Sequence, residues 1–301
     1  MTFAGTPQHP RGIAPDPANV TGRPTSRPMA GTPVREALDS AVIALGAAGV
    51  DTPRLDAEVL LAHALGIDRL AMLADRRATV RGPAVRAFQD AVRRRSVGRE
   101  PVAYITGVKG FRHLDLHVDR RVLIPRPETE TLVEAALALP RSARVVDVGT
   151  GSGAVALALK DERPDLTVTA TDVSEDALAV ARANAERLGL DIRVVRAGLL
   201  EGVGEVDAVV SNPPYVEEGA DLPPEIARHE PAEALYAGLD GLAVVRRLVA
   251  QAGELGAAFL ALEVGAGQAL AVEELARAAG FGRTERRADL AGIERVVAAW
   301  R

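Results

Sequence analysis

The chain has 301 residues, 48% of them hydrophobic, 26% charged and only 3% aromatic, with a net charge of −5. It has no cysteine, which excludes disulfides, thiolate metal ligands and cysteine nucleophiles. Its length allows one large or two modest domains, and no run of about 18 apolar residues is present to span a membrane. The charge is uneven: residues 31–110 hold 12 Lys/Arg against 9 Asp/Glu, and residues 111–301 hold 21 against 31. An acidic C-terminal part is poorly suited to tight binding of a phosphate backbone, which Lys and Arg must neutralise.

Residues 1–30 contain six prolines and no apolar block, the composition of a disordered extension, and Met29 is a candidate translation start. From Val34 the apolar residues fall at helical spacing. "VREALDSAVIALGAAG" ends at Gly49, "DTPRLDAEVLLAHALG" has a candidate cap at Asp51 or Thr52, and "GPAVRAFQDAVRRRSVG" has Pro83 inside its start and Gly98 past its end. Three or more short helices predict a small helical domain over 31–103. Over 104–125 the period shifts towards two, and "HLDLHVDRRVLI" reads as a hairpin or linking strand pair. "IPRPETE" breaks that pattern and "TLVEAALAL" resumes a helix.

From Arg144 strands and helices alternate. The strands are "ARVVDVG", "TVTATDV", "DIRVVRAG", "VDAVVSN" and "AAFLALEVG", and "RTERRADL" and "IERVVAAW" close the chain as an antiparallel pair. This order predicts an α/β fold with a seven-stranded, mostly parallel sheet and helices on both faces.

Ligands of such sheets bind at the carboxyl ends of the strands. There the sequence places Asp147, Gly149, Thr150, Gly151, Ser152 and Gly153 between the first strand and its helix, and Asp172 at the end of the second strand. Glycines let the backbone approach a ligand, and an acid at Asp172 suits ribose hydroxyls. A glycine-rich turn with a capping aspartate is the purely structural alternative. A dinucleotide-binding domain is the functional rival, because Gly149-x-Gly151-x-x-Ala154 satisfies that looser pattern. Asp147 counts against it: a negative charge gains nothing beside a pyrophosphate but attracts an ammonium. S-adenosyl-L-methionine carries ribose, ammonium and sulfonium, and no phosphate.

"VVSNPPYVEE" ends the fourth strand with a stiff double proline. Read alone it is a turn whose Tyr215 packs on the core; at the ligand edge of the sheet it is a candidate site. The histidines are scattered and the acids lack ligand spacing, so no metal site is expected.

These segments resemble the HemK/PrmC family of peptide chain release factor glutamine methyltransferases. The likeness runs over roughly 31–301, through "RLDAEVLLAHALG", "REPVAYITG", "VLIPRPETETLVE", "VVDVGTGSGAVALALK", "VSNPPYV", "RHEPAEALYAGLDGL" and "LEVGAGQ". "NPPY" alone looks equally like the amino-methyltransferases of nucleic-acid bases. The resemblance implies a methyltransferase domain over 126–301, S-adenosyl-L-methionine as cofactor and release factors as partners docked by the helical domain. It implies a cytoplasmic monomer with no stable nucleic-acid or membrane binding.

By the same resemblance, Gly149 to Gly153 line the methionine side of the cofactor and Asp172 holds its ribose. Gly198 and Leu199 lie beside adenine, where the family usually has an acid in a "GD" or "SD" pair. Asn212, Pro213, Pro214 and Tyr215 receive the glutamine side chain, with Asn212 also facing the cofactor. Asn212 and the Pro213 carbonyl accept from the amide NH₂, Tyr215 covers it, and the prolines hold the aim. Arg126, Glu128 and Glu130 are substrate contacts or a polar brace that fixes the linker to the catalytic domain. His229 is structural, since the reaction needs no strong base.

Overall fold

The computed structural model describes residues 31–75 and 78–301. The expectations for 1–30, Met29 included, lie outside the described residues.

Five helices form the N-terminal unit: α1 (Val34–Ala47), α2 (Pro53–Leu65), α3 (Arg69–Ala74), α4 (Pro83–Ser96) and α5 (Val102–Thr106). Two short strands, β1 (Thr32–Pro33) and β2 (Thr79–Val80), pair beside them. Their apolar faces meet in one core around Leu38, Leu45, Leu60, Leu61, Met72 and Phe88, and Ile105 of α5 joins it. Each fully buried Leu contributes about 1.5–3 kcal/mol through the water it loses. Thr52 does stand at the N-cap of α2, but its hydroxyl donates to Asp56 Oδ1 at 2.8 Å and caps no backbone N–H.

The linking hairpin lies within 104–125 and occupies the earlier part of that stretch. β3 (Val108–Phe111) pairs with β4 (Leu114–His117) across a two-residue turn, and Val118 to Ile124 form no strand. Arg112 in that turn has a φ of 52°, normally glycine territory. Its guanidinium meets Glu162 twice at 2.8 Å and Glu134 at 3.0 Å, which offsets the strain. The alternation past His117 has another cause. Val118, Val122 and Ile124 bury against Tyr104 and against Ala177 and Val180 of the helix Glu175–Leu188.

After a single 3₁₀ turn (Pro127–Thr129) and α6 (Glu130–Ala136), the alternating part begins. It runs β5 (Arg144–Val148), α7 (Ala154–Glu162), β6 (Thr167–Asp172), α8 (Glu175–Leu188), β7 (Arg193–Arg196) and β8 (Ala208–Ser211). Then come α9 (Pro224–Ala227), α10 (Ala243–Glu254), β9 (Phe259–Glu263), α11 (Ala269–Ala278), β10 (Arg283–Ala288) and β11 (Glu294–Trp300). The sheet order is β10-β11-β9-β8-β5-β6-β7. Only β11 runs antiparallel to its neighbours β9 and β10; every other pair is parallel. Separate apolar layers pack on the two faces, one around α6 and α7, the other around α10 and α11. The expected seven-stranded sheet with its terminal antiparallel pair is therefore present.

Candidate active site

Strand register builds the site. Val148 pairs with Thr171 on β6 and Ser211 on β8, and Ser211 pairs with Leu262 on β9. One residue further along each strand stand Asp172, Gly149, Asn212 and Glu263. Four segments distant in sequence thus place two carboxyls, an amide and a glycine in one row at the carboxyl edge of the sheet, where ligands of open sheets bind.

The β5 half of this row is tied together internally. Asp147 is 1% exposed; its Oδ2 accepts from Thr150 Oγ1 at 2.6 Å and from the Ala156 N–H at 3.2 Å. Burial pushes its carboxyl up to about 7, against the pull of those two hydrogen bonds. Asp172 accepts from the Gly151 N–H at 3.0 Å through one oxygen and from the Ser174 N–H at 2.9 Å through the other, and burial raises its pKa too. Gly149 and Gly151 have φ of 70° and 55°, and a Cβ at either would meet nothing within 4 Å. Their glycines answer to the backbone conformation and leave open space above the turn. Ser152 is buried, and its carbonyl accepts from Asn184 Nδ2 at 2.9 Å.

On the adjoining side, Leu199 has a φ of 63° and its carbonyl accepts from Thr171 Oγ1 at 3.3 Å. Gly198 leaves room that a nearby acid fills: a Cβ there would stand 3.0 Å from Oε2 of Glu201. Glu201, three residues downstream, thus brings a carboxylate beside Gly198. Sequence reasoning missed Glu201 because its relation to Gly198 exists only once the chain turns at Leu199.

The β8 half is less complete. Asn212 Nδ2 donates to Thr129 Oγ1 at 3.1 Å, while its Oδ1 is buried without a partner. Pro213 is buried and Pro214 half-buried. The Tyr215 hydroxyl donates to Glu263 Oε1 at 3.3 Å, and burial raises the pKa of the phenol. Gln268 Nε2 donates to the Tyr215 carbonyl at 3.0 Å and fixes the loop's exit. Glu263 is 1% exposed, and its Oε2 is also without a partner. Burial pushes this carboxyl up to about 7; Thr129, Tyr215 and Arg295 temper the rise and Glu128 adds to it. Thr129 and Glu263 were missed from sequence. An acid closing the all-apolar run "FLAL" was the available signal for Glu263.

Arg126 and Glu128 separate in their surroundings. Arg126 pairs with the nearly buried Glu230 at 2.5 Å, and Glu230 also accepts from the Ile124 N–H at 3.3 Å. Glu128 is half-buried beside Glu263. The chain leaving Tyr215 then runs back to the helical unit. Glu225 meets Arg95 at 2.9 Å and Arg99 at 2.6 Å, and His229 Nε2 donates to the Gly98 carbonyl at 2.8 Å. His229 therefore sits in this contact between units. Among the described residues no cluster of three or more His, Cys, Asp or Glu could hold a metal ion.

An antiparallel β11 between β9 and β10 departs from dinucleotide-binding sheets. Together with the acid ending β6 and the amide-bearing loop after β8, it defines a methyltransferase of the Rossmann-like class. The description of the PrmC N-terminal domain matches residues 36–107, and that of the methyltransferase small domain matches residues 127–235. The release factor glutamine methyltransferase of Deinococcus radiodurans is 43% identical over 278 residues, 89% of this chain and 98% of that protein. Its counterpart in Mycolicibacterium smegmatis is 47% identical over 232 residues, 73% of this chain and 80% of that protein.

Among solved structures, the protein-(glutamine-N5) methyltransferase of Alicyclobacillus acidocaldarius is 34% identical, with a TM-score of 0.37 over 59% of this chain and 94% of that one. The hMettl16 catalytic domain with a MAT2A 3'UTR hairpin shares the fold at 20% identity, with a TM-score of 0.51 over 72% of this chain and 81% of that one. The chain belongs to the release factor glutamine methyltransferase family.

Proposed function

We infer that this protein transfers a methyl group from S-adenosyl-L-methionine to the side-chain amide nitrogen of a glutamine in a peptide chain release factor. The carrying observation is Asn212, whose Oδ1 is buried, unpartnered and aligned with Gly149 and Asp172 at the sheet edge. A buried acceptor without a donor is costly, and an incoming NH₂ group relieves it.

The residues present suit the cofactor. Asp172 has lone pairs left for ribose hydroxyls, Asp147 supplies negative charge for an ammonium, and the open space over Gly149 and Gly151 admits a close ligand. Glu201 provides an acceptor beside Gly198 for the adenine amine. The bound cofactor supplies an electrophilic methyl on a sulfonium.

The chain's own task is to aim a poor nucleophile, since the amide lone pair is delocalised into its carbonyl. Asn212 Oδ1 and the Pro213 carbonyl accept the two N–H bonds and turn the nitrogen's remaining face to the methyl. Tyr215 covers the flat amide and excludes water. Alignment of this kind lowers a barrier by several kcal/mol. The nitrogen becomes acidic only after transfer, so its proton leaves to water without a dedicated base.

The helical unit over 31–103 docks the release factor, and Glu225 and His229 tie that unit to the site loop. The enzyme acts as a cytoplasmic monomer. A base amino group also offers a planar NH₂, which makes a nucleic-acid amino-methyltransferase the second reading; the acidic balance of 111–301 disfavours it. Incubation with labelled S-adenosyl-L-methionine and a purified release factor, beside duplex DNA and total RNA, decides between them. Label is expected on the release factor; label on nucleic acid alone sinks the first reading.

A further inference from the structure

Asn212 can serve as an acceptor only if its amide is held one way round. An asparagine carries a carbonyl and an NH₂ of nearly equal size, and the surrounding hydrogen bonds decide which one faces the ligand. Here the NH₂ is turned to Thr129, which is 4% exposed on the 3₁₀ turn before α6. A threonine hydroxyl has a single proton and can either give it or keep it for another acceptor. If it were given to Asn212, the amide would flip and present its NH₂ to the cleft.

Glu263 breaks that ambiguity. Its carboxyl lies beside the Thr129 hydroxyl and under Tyr215, with Oε2 buried and unpartnered. An ionised carboxylate only accepts, so the Thr129 hydroxyl beside it would turn its proton towards Glu263 and keep its lone pairs for Asn212 Nδ2. Two observations meet in this one arrangement: the Asn212–Thr129 bond at 3.1 Å, and two buried acceptors without hydrogen-bond partners, Asn212 Oδ1 and Glu263 Oε2.

We propose that Thr129 and Glu263 are positioning residues that set the polarity of Asn212, so that the site takes a glutamine side chain and rejects glutamate. With Oδ1 outward, the site offers acceptors to an NH₂ group. A glutamate carboxylate would bring two oxygens against those acceptors and gain no hydrogen bond. Sites built around a substrate N–H discriminate strongly for this reason. The proposal rests on the glutamine reading above, and it concerns the selection of the substrate rather than the transfer itself.

The test uses the full-length enzyme with a release factor, assayed at pH 8, above the raised pKa of about 7 of Glu263. Thr129→Val, Thr129→Ser and Glu263→Gln are compared for kcat and KM. Inhibition by the same release factor with its target Gln replaced by Glu is measured alongside, and cofactor affinity reports on folding. Thr129→Val is expected to lower kcat/KM at least about 30-fold, with cofactor affinity within about threefold, because one well-placed hydrogen bond carries about 2 kcal/mol.

The Glu-bearing release factor should inhibit Thr129→Val at least about tenfold more tightly than it inhibits the wild type, since the freed amide can turn its NH₂ outward. Thr129→Ser keeps the hydroxyl and should restore both readouts. Glu263→Gln should show a smaller loss that does not add to that of Thr129→Val, as expected for members of one chain of contacts. A serine variant as impaired as the valine variant, or a valine variant with unchanged rate and discrimination, overturns this proposal alone. A wild-type enzyme that leaves the release factor unmethylated overturns the glutamine reading instead.

Discussion

The two halves of the carboxyl edge are finished to different degrees. Around β5 and β6 the chain satisfies its own polar atoms: Asp147 is held by Thr150 and Ala156, and Asp172 by the N–H groups of Gly151 and Ser174. Around β8 and β9 it leaves Asn212 Oδ1 and Glu263 Oε2 buried without donors. On the reading proposed above, the first half is the cofactor side, with its polar atoms satisfied within the chain. The second is the acceptor side, whose buried oxygens favour an incoming NH₂ group over groups that cannot donate.

Removing Asn212 should break the second half while sparing the first, and it carries the largest expected effect. Asn212→Ala is expected to lower turnover by about 10²–10³, the cost of deleting one aimed hydrogen-bonding group from a site. Cofactor affinity, measured by calorimetry, should stay within about tenfold, or roughly 1.4 kcal/mol. Complete loss of cofactor binding would mean that the two halves are not separable. The converse variant, Asp172→Ala, should weaken the cofactor about 10- to 100-fold, as for a hydrogen bond to a charged group. Turnover at saturating cofactor should then remain close to that of the wild type. A mutant with normal cofactor affinity and lost turnover would reverse the assignment.

Most of the first half was readable in the sequence, and the reason is local. Asp147 to Gly153 form a continuous string between a strand and a helix, and Asp172 ends the next strand, so spacing alone places them. The β8 half combines contacts of long range. "NPPY" was visible as a motif, but Thr129 reaches Asn212 across 83 residues and Glu263 reaches Tyr215 across 48. No periodicity encodes such meetings; they follow from strand register and from where the Pro127–Thr129 turn docks. The hairpin Val108–His117 lies within 104–125, but where its second strand ends was not legible, for a related reason. The apolar alternation of Val118, Val122 and Ile124 reflects burial under α8, which the sequence pattern renders the same way as a strand.

Titration gives a way to sharpen the contrast within the cofactor half. Asp147 is fully buried with a pKa pushed up to about 7, so the unliganded protein holds a proton there that the unfolded chain has lost. Its contribution to stability therefore falls as pH rises from about 4 to about 7. A cationic ligand favours the ionised form. Affinity for S-adenosyl-L-methionine should strengthen with pH, by up to about tenfold per unit below 7, and level off above it. Binding at pH 7 should release protons, seen as a buffer-dependent heat in calorimetry. Asp147→Asn should flatten the profile; an unchanged slope in that variant would assign the proton to another group.

The smallest effect is expected at Glu201, and it tests whether the first half is as self-sufficient as its hydrogen bonds suggest. Position 198 is glycine, so no side chain there can meet adenine. Oε2 of Glu201 lies 3.0 Å from where that side chain would begin. Glu201 is exposed, and water competes for its carboxylate. Glu201→Ala should therefore weaken cofactor binding only about two- to fivefold, the range of a solvent-accessible hydrogen bond. Gly198→Asp would place two carboxylates in the space of one and should weaken binding in the presence of Glu201. Combined with Glu201→Ala it should restore wild-type affinity. Such rescue requires the two carboxylates to occupy one place in the fold. A double variant no better than Gly198→Asp alone would show that Glu201 packs on Gly198 without reading the cofactor.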